Sequence, residues 1–215
     1  MTQWLLIKRL RGPAFLLLIG VMALLHEWGD FGFSRSWPLL LILAGVMSLA
    51  ERAVVDPAAV LASRRPAPVV LLEDPRDLGN MGACVRVAAA ADIAGVLTSG
   101  SHDPWHPDAL RGAAGLHYAV PVARLEQLDV LAGCDRPLLA VDPGGDPLDP
   151  SELPARALLA FGTEREGLSE ELAARAEAHV SIPMRPGVSS LNLATSVAAV
   201  LFAWRLSARA APTLA

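Results

Sequence analysis

From Val69 onward the chain is punctuated by short apolar runs, chiefly Val69-Val70-Leu71-Leu72, Gly95 to Thr98, Leu138 to Val141 and Leu158-Leu159-Ala160-Phe161. Runs that are apolar throughout, rather than alternating with polar residues, are expected of strands buried on both faces, which occur where helices cover a parallel sheet. The intervening segments read as an alanine-rich helix from Met81 to Ala91, a loop and helix from Asp103 to Ala114, and a short helix from Arg124 to Leu131. Further strands at Tyr118 to Val122 and His179 to Met184 bring the total to five or six, and a long apolar helix closes the chain. Alternation of this kind predicts one α/β domain with a mostly parallel sheet.

The first part of the chain is different. The 53% apolar content is high, and the excess lies in two uncharged runs, Pro13 to Leu25 and Trp37 to Ala50. Each is shorter than the roughly 20 residues of a perpendicular membrane span, although neighbouring residues bring either close to that length. Lys8, Arg9 and Arg11 precede the first run and Arg52, Arg64 and Arg65 follow the second, so the positive-inside rule predicts an anchor with both ends cytoplasmic. A hydrophobic hairpin packed on the domain, or on a second copy of the chain, is the competing reading. A cleaved signal peptide fits poorly, because a second apolar run follows the first. The prolines of Arg64-Arg65-Pro66-Ala67-Pro68 stiffen the chain ahead of the first strand, and the expected organisation is a hairpin over 1–52, a linker over 53–68 and a domain over 69–215.

Charge divides along the same line. Residues 1–65 carry a net +3 and residues 66–215 a net −7, the latter with eleven arginines and no lysine. Phosphate binding normally shows as an excess of cations, so an acidic domain is not an obvious nucleic-acid binder. Cys84 and Cys134 lie fifty residues apart, without metal-ligand spacing, and read as reduced thiols.

Chemistry is expected where strands end in glycine-bearing polar loops, at the carboxyl edge of the sheet. Three such stretches stand out. In Asn80-Met81-Gly82-Ala83-Cys84-Val85-Arg86 a glycine allows close approach to a helix start, and Arg86 lies one turn further in, placed to fork onto a phosphate or to pair with Glu73 or Asp74. In Gly162-Thr163-Glu164-Arg165-Glu166-Gly167 the glycines permit a tight backbone, and Ser169-Glu170-Glu171 beyond it reads as a helix cap with first-turn acids. Ser189-Ser190-Leu191-Asn192 is either a cap for the last helix or a pair of ligand-binding polar groups. His102-Asp103-Pro104-Trp105-His106 resembles a metal ligand pair but lacks a third ligand, and Trp105 serves equally for packing or for stacking a base. No zinc spacing, P-loop or nucleophile elbow is present.

Together these stretches resemble a known family. Asn80-Met81-Gly82 with Arg86, then Phe161 to Leu168, then Ile182-Pro183-Met184 and Gly187 to Ser196, are similar in order and spacing to the three motifs of the SpoU/TrmH family of SPOUT RNA methyltransferases, over Val69 to Leu206. The resemblance implies an α/β domain with a carboxyl-terminal trefoil knot, a homodimer, and S-adenosylmethionine as cofactor. It further implies a methyl transferred to a ribose 2′-oxygen of tRNA or rRNA. By position Arg86 matches the family's catalytic arginine, Asn80 its first-motif asparagine, Glu164 its second-motif glutamate, and Ser190 and Asn192 its third-motif polar pair. The cofactor would be held by the loops at Gly162, Thr163, Ile182, Met184 and Leu191, mainly through main-chain groups. The stretches Gly12 to Gly20 and Trp37 to Gly45 resemble the two-helix membrane region of LiaI/LiaF-like envelope proteins, which would tether a cytoplasmic catalytic domain to the inner face of the membrane.

The residue types suit the implied reaction. A ribose hydroxyl is a poor nucleophile at neutral pH and a sulfonium a strong electrophile, so alignment and help with proton loss are the protein's main tasks. A guanidinium resists deprotonation, so Arg86 is assigned to positioning the ribose-phosphate and easing oxyanion formation, with the proton acceptor left open. The competing class is a non-catalytic, membrane-tethered SPOUT module that binds cofactor or RNA without turnover.

Overall fold

The computed structural model describes residues 3–28, 37–53, 55–163 and 166–210. The chain forms two compact units, Met1–Asp56 and Pro57–Ala215. The first holds α1 (Gln3–Trp28) and α2 (Pro38–Ala53), which pack against each other. Their outward faces are apolar, with Leu16 and Leu17 each 71% exposed and Leu41 and Ile42 about as open. Among the described residues no helix is long and apolar enough to cross a membrane, which corrects the expectation of two spans. The 16 residues of α2 reach about 24 Å at the helical rise of about 1.5 Å per residue, short of a hydrocarbon core of about 30 Å. Within α1 the uncharged stretch begins only at Gly12.

The second unit is a six-stranded sheet, every pairing parallel, in the order β3-β2-β1-β5-β4-β6. Its strands are β1 (Val69–Leu72), β2 (Gly95–Thr98), β3 (Val122–Arg124), β4 (Leu138–Pro147), β5 (Leu158–Phe161) and β6 (Ala178–Ser181). The continuous apolar runs occupy the centre, as their composition requires: every residue of β1, β2 and β5 is buried. Helix α3 (Pro57–Leu61) precedes them, and α4 (Leu78–Ala91), α5 (Pro107–Gly112), α6 (Glu170–Ala174) and α7 (Leu193–Ala210) connect or follow them. Asp77 caps α4, its carboxylate accepting from the Asn80 amide, so the helix starts three residues earlier than the apolar pattern indicates.

Two expectations in the middle of the chain are corrected. Tyr118 is not in a strand: Leu116–Tyr118 is a 3-10 turn entered through Gly115 at φ 79°, and β3 begins only at Val122. Arg124 belongs to β3 and does not start a helix; a second 3-10 turn covers Leu128–Gly133. β6 ends at Ser181, so Ile182 to Met184 lie in its exit loop, while β4 runs to Pro147 through a register shift between Val141 and Asp146.

The segment expected to be a linker joins the second unit from Pro57 onward. Val60, Leu61 and Ala67 are buried, and Arg136, only 3% exposed, holds the segment in place. Its guanidinium donates to the carbonyls of Leu61 (3.0 Å), Ser63 (2.7 Å), Ala67 (3.0 Å) and Arg156 (3.2 Å). Burial holds it below its ordinary pKa, with the neighbouring Arg156 charge acting in the same direction. Arg136→Met strips four carbonyls of a charged donor and is expected to lower unfolding free energy by about 3 kcal/mol, read from urea denaturation.

His117 is the second buried polar group with a defined role. It is 1% exposed, its Nε2 lies 2.8 Å from the Pro104 carbonyl, and its Nδ1 has no partner among the described residues. The geometry fits a neutral ring donating from Nε2. Burial pushes its pKa below the ordinary 6.5, against the opposing effect of the Pro104 carbonyl. A depressed histidine leaves the unfolded chain binding more protons, so its contribution is intact above about pH 6.5 and is lost as pH falls toward the folded value. Melting temperature is therefore expected to fall between pH 7 and pH 5, with a flatter profile in His117→Phe.

Candidate active site

The carboxyl ends of β5 and β6 and the bulge within β4 open onto one pocket, and the loops that leave β5 and β6 supply much of its wall. Gly162 and Thr163 leave β5, Ile182 and Met184 follow β6, and Leu191 precedes α7; all five residues expected to hold a cofactor line this pocket, as does Ser190. The lining is largely apolar, with Phe161 and Leu193 beside these residues, and is interrupted by a few polar groups, as in small-molecule sites generally.

The β5 exit loop is drawn into a narrow arch. Thr163 and Gly167 exchange backbone hydrogen bonds of 3.0 and 3.2 Å, and the Glu166 amide donates to Thr163 Oγ1 at 3.0 Å. Gly167 has φ 70°, and a Cβ on Gly162 would stand 2.0 Å from the Gly167 carbonyl carbon. Both positions need glycine, one for its conformation and one for space. Glu164, together with Arg165, lies outside the described residues. Beyond the arch Ser169 caps α6, accepting from the Leu172 amide at 3.2 Å.

The first and third stretches meet directly. Asn192 Nδ2 donates to Asn80 Oδ1 at 3.1 Å, across 112 positions of sequence. The other end of the Asn192 amide caps α7, accepting from the Ala194 amide at 3.0 Å and the Thr195 amide at 3.4 Å. Asn192 is thus both the helix cap and a polar group facing the first motif. Arg86 projects from α4 and is exposed, with no ion pair among the described residues. Neither acid considered as its partner is engaged with it: Glu73 binds Ser169, and Asp74 accepts from the Ser101 amide. What Gly82 admits is a neighbouring helix, since a Cβ there would stand 2.1 Å from the Ala109 carbonyl oxygen of α5.

Other sequence candidates have structural roles. The His106 ring caps α5 through the Asp108 amide, and among the described residues no cluster could hold a metal ion. Trp105 is half-buried and packs its ring 5.1 Å from that of His117 and 5.5 Å from that of Tyr118. Neither Cys84 nor Cys134 is in a disulfide.

The bulge within β4 is the part of the pocket that motif reasoning missed. Asp142 and Pro143 line it, and Asp142 is tied down by the Gly144 amide at 2.7 Å and by His179 Nδ1 at 2.8 Å. The hydrogen bond that Asp142 accepts from its ring pulls the His179 imidazole above its usual pKa. A turn-rich segment at the end of a parallel strand was the available signal, but only the strand order, with β4 beside β5, ties that turn to the pocket.

Comparison with known proteins fits this geometry. Residues 67–202 match the model of the SpoU rRNA methylase family, and residues 11–49 that of the LiaI-LiaF-like transmembrane region. An uncharacterized tRNA/rRNA methyltransferase from Synechocystis is 30% identical over 191 residues, covering 80% of this chain and 69% of that protein. The 23S rRNA (uridine(2479)-2′-O)-methyltransferase of Streptomyces viridochromogenes is 30% identical over 194 residues, covering 78% and 68%. Among solved structures, a SpoU methyltransferase from S. viridochromogenes superposes with a TM-score of 0.64 at 27% identity, covering 71% of this chain and 63% of that one. An AdoMet-bound rRNA methyltransferase from Sinorhizobium meliloti gives 0.63 at 29%, covering 70% and 60%. The chain thus spans somewhat less than two thirds of these solved proteins. With its parallel sheet, its shared pocket and its matched motifs, the chain belongs to the SpoU rRNA methylase family.

Proposed function

We propose that the chain is an S-adenosylmethionine-dependent RNA methyltransferase that modifies a ribose 2′-oxygen of tRNA or rRNA. The observation that carries this reading is the convergence of all three motifs at one place: the pocket gathers Gly162, Thr163, Ile182, Met184, Ser190 and Leu191, and the Asn192–Asn80 hydrogen bond joins its edge to the helix that bears Arg86. Relatives named for 2′-O-methylation of 23S rRNA support the acceptor. In this reading the carboxyl-terminal segment is threaded into a trefoil knot.

The pocket's chemistry suits the cofactor: apolar walls for an adenine, and loops at Gly162, Thr163, Ile182 and Leu191 that would hold its polar edges through main-chain groups. When bound, S-adenosylmethionine supplies an electrophilic methyl group. The protein's part is to orient the acceptor. Arg86, exposed and without an ion pair among the described residues, is available to a ribose-phosphate and favours the oxyanion that forms as the hydroxyl loses its proton. Asn80 and Asn192 fix each other's amides, and Ser190 and Glu164 complete the polar group in this reading.

Val188, Leu191, Phe202 and Leu206 leave 38–65% of their surface open on the carboxyl-terminal segment. Large apolar side chains left open in this way support a homodimer built on the carboxyl-terminal segment. Residues 12–50 associate with the bilayer surface in the same reading, supported by the open apolar faces of α1 and α2.

Incubation with methyl-labelled S-adenosylmethionine and bacterial RNA, followed by nuclease digestion and mass analysis, is expected to yield a 2′-O-methylnucleoside. Cofactor binding without incorporation would instead support a non-catalytic module. Arg86→Ala is expected to keep the cofactor dissociation constant within about threefold and to lower transfer by roughly a hundredfold or more, the scale of losing one oxyanion-stabilising donor. Full activity in that variant would refute the role given to Arg86.

A further inference from the structure

The pocket depends on an arch, Gly162 to Ser169, whose two ends are gripped by one residue outside the three motifs. Glu73 follows the last residue of β1. Its backbone amide donates to the Phe161 carbonyl at 2.9 Å, which carries the β1–β5 ladder one step further and fixes the point where the arch begins. Its side chain fixes the point where the arch ends: Oε2 accepts from the Ser169 amide at 2.7 Å, and Oε1 from the Ser169 hydroxyl at 2.5 Å. The hydroxyl proton is directed at Glu73, so its lone pair is free to accept from the Leu172 amide at 3.2 Å. The result is a directed chain of hydrogen bonds from the central strand to the first turn of α6.

Only 9% of Glu73 is exposed, and the hydrogen bonds its carboxylate makes among the described residues all come from Ser169. A carboxylate in such surroundings needs its donors, and donors held by a charge are bound more tightly than neutral ones. The next residue fastens the other side of the same turn. Asp74, at φ 39°, has its amide bonded to Ser99 Oγ at 3.2 Å and its carboxylate to the Ser101 amide at 3.4 Å. The β1 exit is therefore anchored on both flanks, and the arch is built out from a fixed point.

We infer that Glu73 is a positioning residue for methyl transfer: by holding both ends of the Gly162–Ser169 arch, it sets the backbone at Thr163 and Gly167 against the cofactor. This inference rests on the function proposed above. Arg76, which bonds Glu166 at 3.2 Å across the top of the arch, is half exposed and adds little by comparison.

Glu73→Gln is the informative variant, because it preserves volume while replacing one acceptor with a donor that faces a donor. Together with Ser169→Ala and the double variant, it is to be compared with the wild type in thermal melting, cofactor calorimetry and amide exchange. We expect Glu73→Gln to stay folded, to weaken S-adenosylmethionine binding by about tenfold, the scale of losing a hydrogen bond to a charged group, and to speed exchange at Gly167, Leu168 and Ser169. Ser169→Ala should act in the same direction, and the double variant should bind no more weakly than Glu73→Gln, because both changes break one link. Cofactor binding within twofold of wild type in Glu73→Gln, unchanged exchange in the arch, or additive losses in the double variant would each overturn the assignment. The exchange measurement needs no ligand. If the wild type fails to bind S-adenosylmethionine, the proposed function fails, and exchange alone still shows whether Glu73 holds the arch.

Discussion

The pairing of β1 with β5 is the contact on which the remaining arrangement depends. Val69 registers with Leu158 and Leu72 with Phe161, strands 89 positions apart in sequence, and all eight residues are buried. A parallel ladder sends both strands' exits to the same edge. That one register puts the turn at Glu73 beside the arch at Gly162, and with β4 on the far side of β5 it puts the Asp142 turn beside both. The Asn80–Asn192 bond follows, since the third loop enters over the same edge. Moving the register by one residue would present the opposite faces of these strands and separate the loops.

Much of the fold was legible because its central strands are monotonous. Val69 to Leu72 and Leu158 to Phe161 are apolar at every position, and a strand covered on both faces leaves no other choice. Legibility failed where burial and secondary structure part company. Val120 and Val122 are both buried, which suggests a strand from Tyr118, yet Gly115 and Pro121 enforce a turn between α5 and β3. Edge strand β6 begins with the exposed Ala178 and His179, so its apolar signal comes late and runs on into a loop. Nothing local states that β5 inserts between β1 and β4, and for that reason Asp142 and Pro143 could not be assigned to the pocket.

The candidate site shows the same division. Its motif residues were proposed from their order along the chain, since each stretch taken alone is a plausible cap or turn, and Asn192 is in fact a cap that also bonds Asn80. The acids near Arg86 illustrate how charge alone misleads. Glu73 and Asp74 are its obvious partners in sequence, but the sheet turns both toward loops that arrive later, Glu73 toward Ser169 and Asp74 toward Ser101. Arg86 is left facing solvent by the satisfaction of its neighbours. The net acidity of residues 66–215 is consistent with this, because several of its carboxylates are spent on backbone amides: Asp77 on Asn80, Asp142 on Gly144 and Asp149 on Ser151.

The long separation between β1 and β5 also has a temporal side. During synthesis β1, β2 and β3 can associate as soon as they emerge, but the other edge of β1 stays open until β5 arrives. At typical elongation rates of about 5–20 residues per second, that interval is several seconds or more. An unpaired, wholly apolar strand edge is a template for misassociation, and non-local parallel pairing is slow to form. Nascent chains of this protein are therefore most exposed to aggregation, and most dependent on chaperones, in the window between the emergence of Leu72 and that of Phe161.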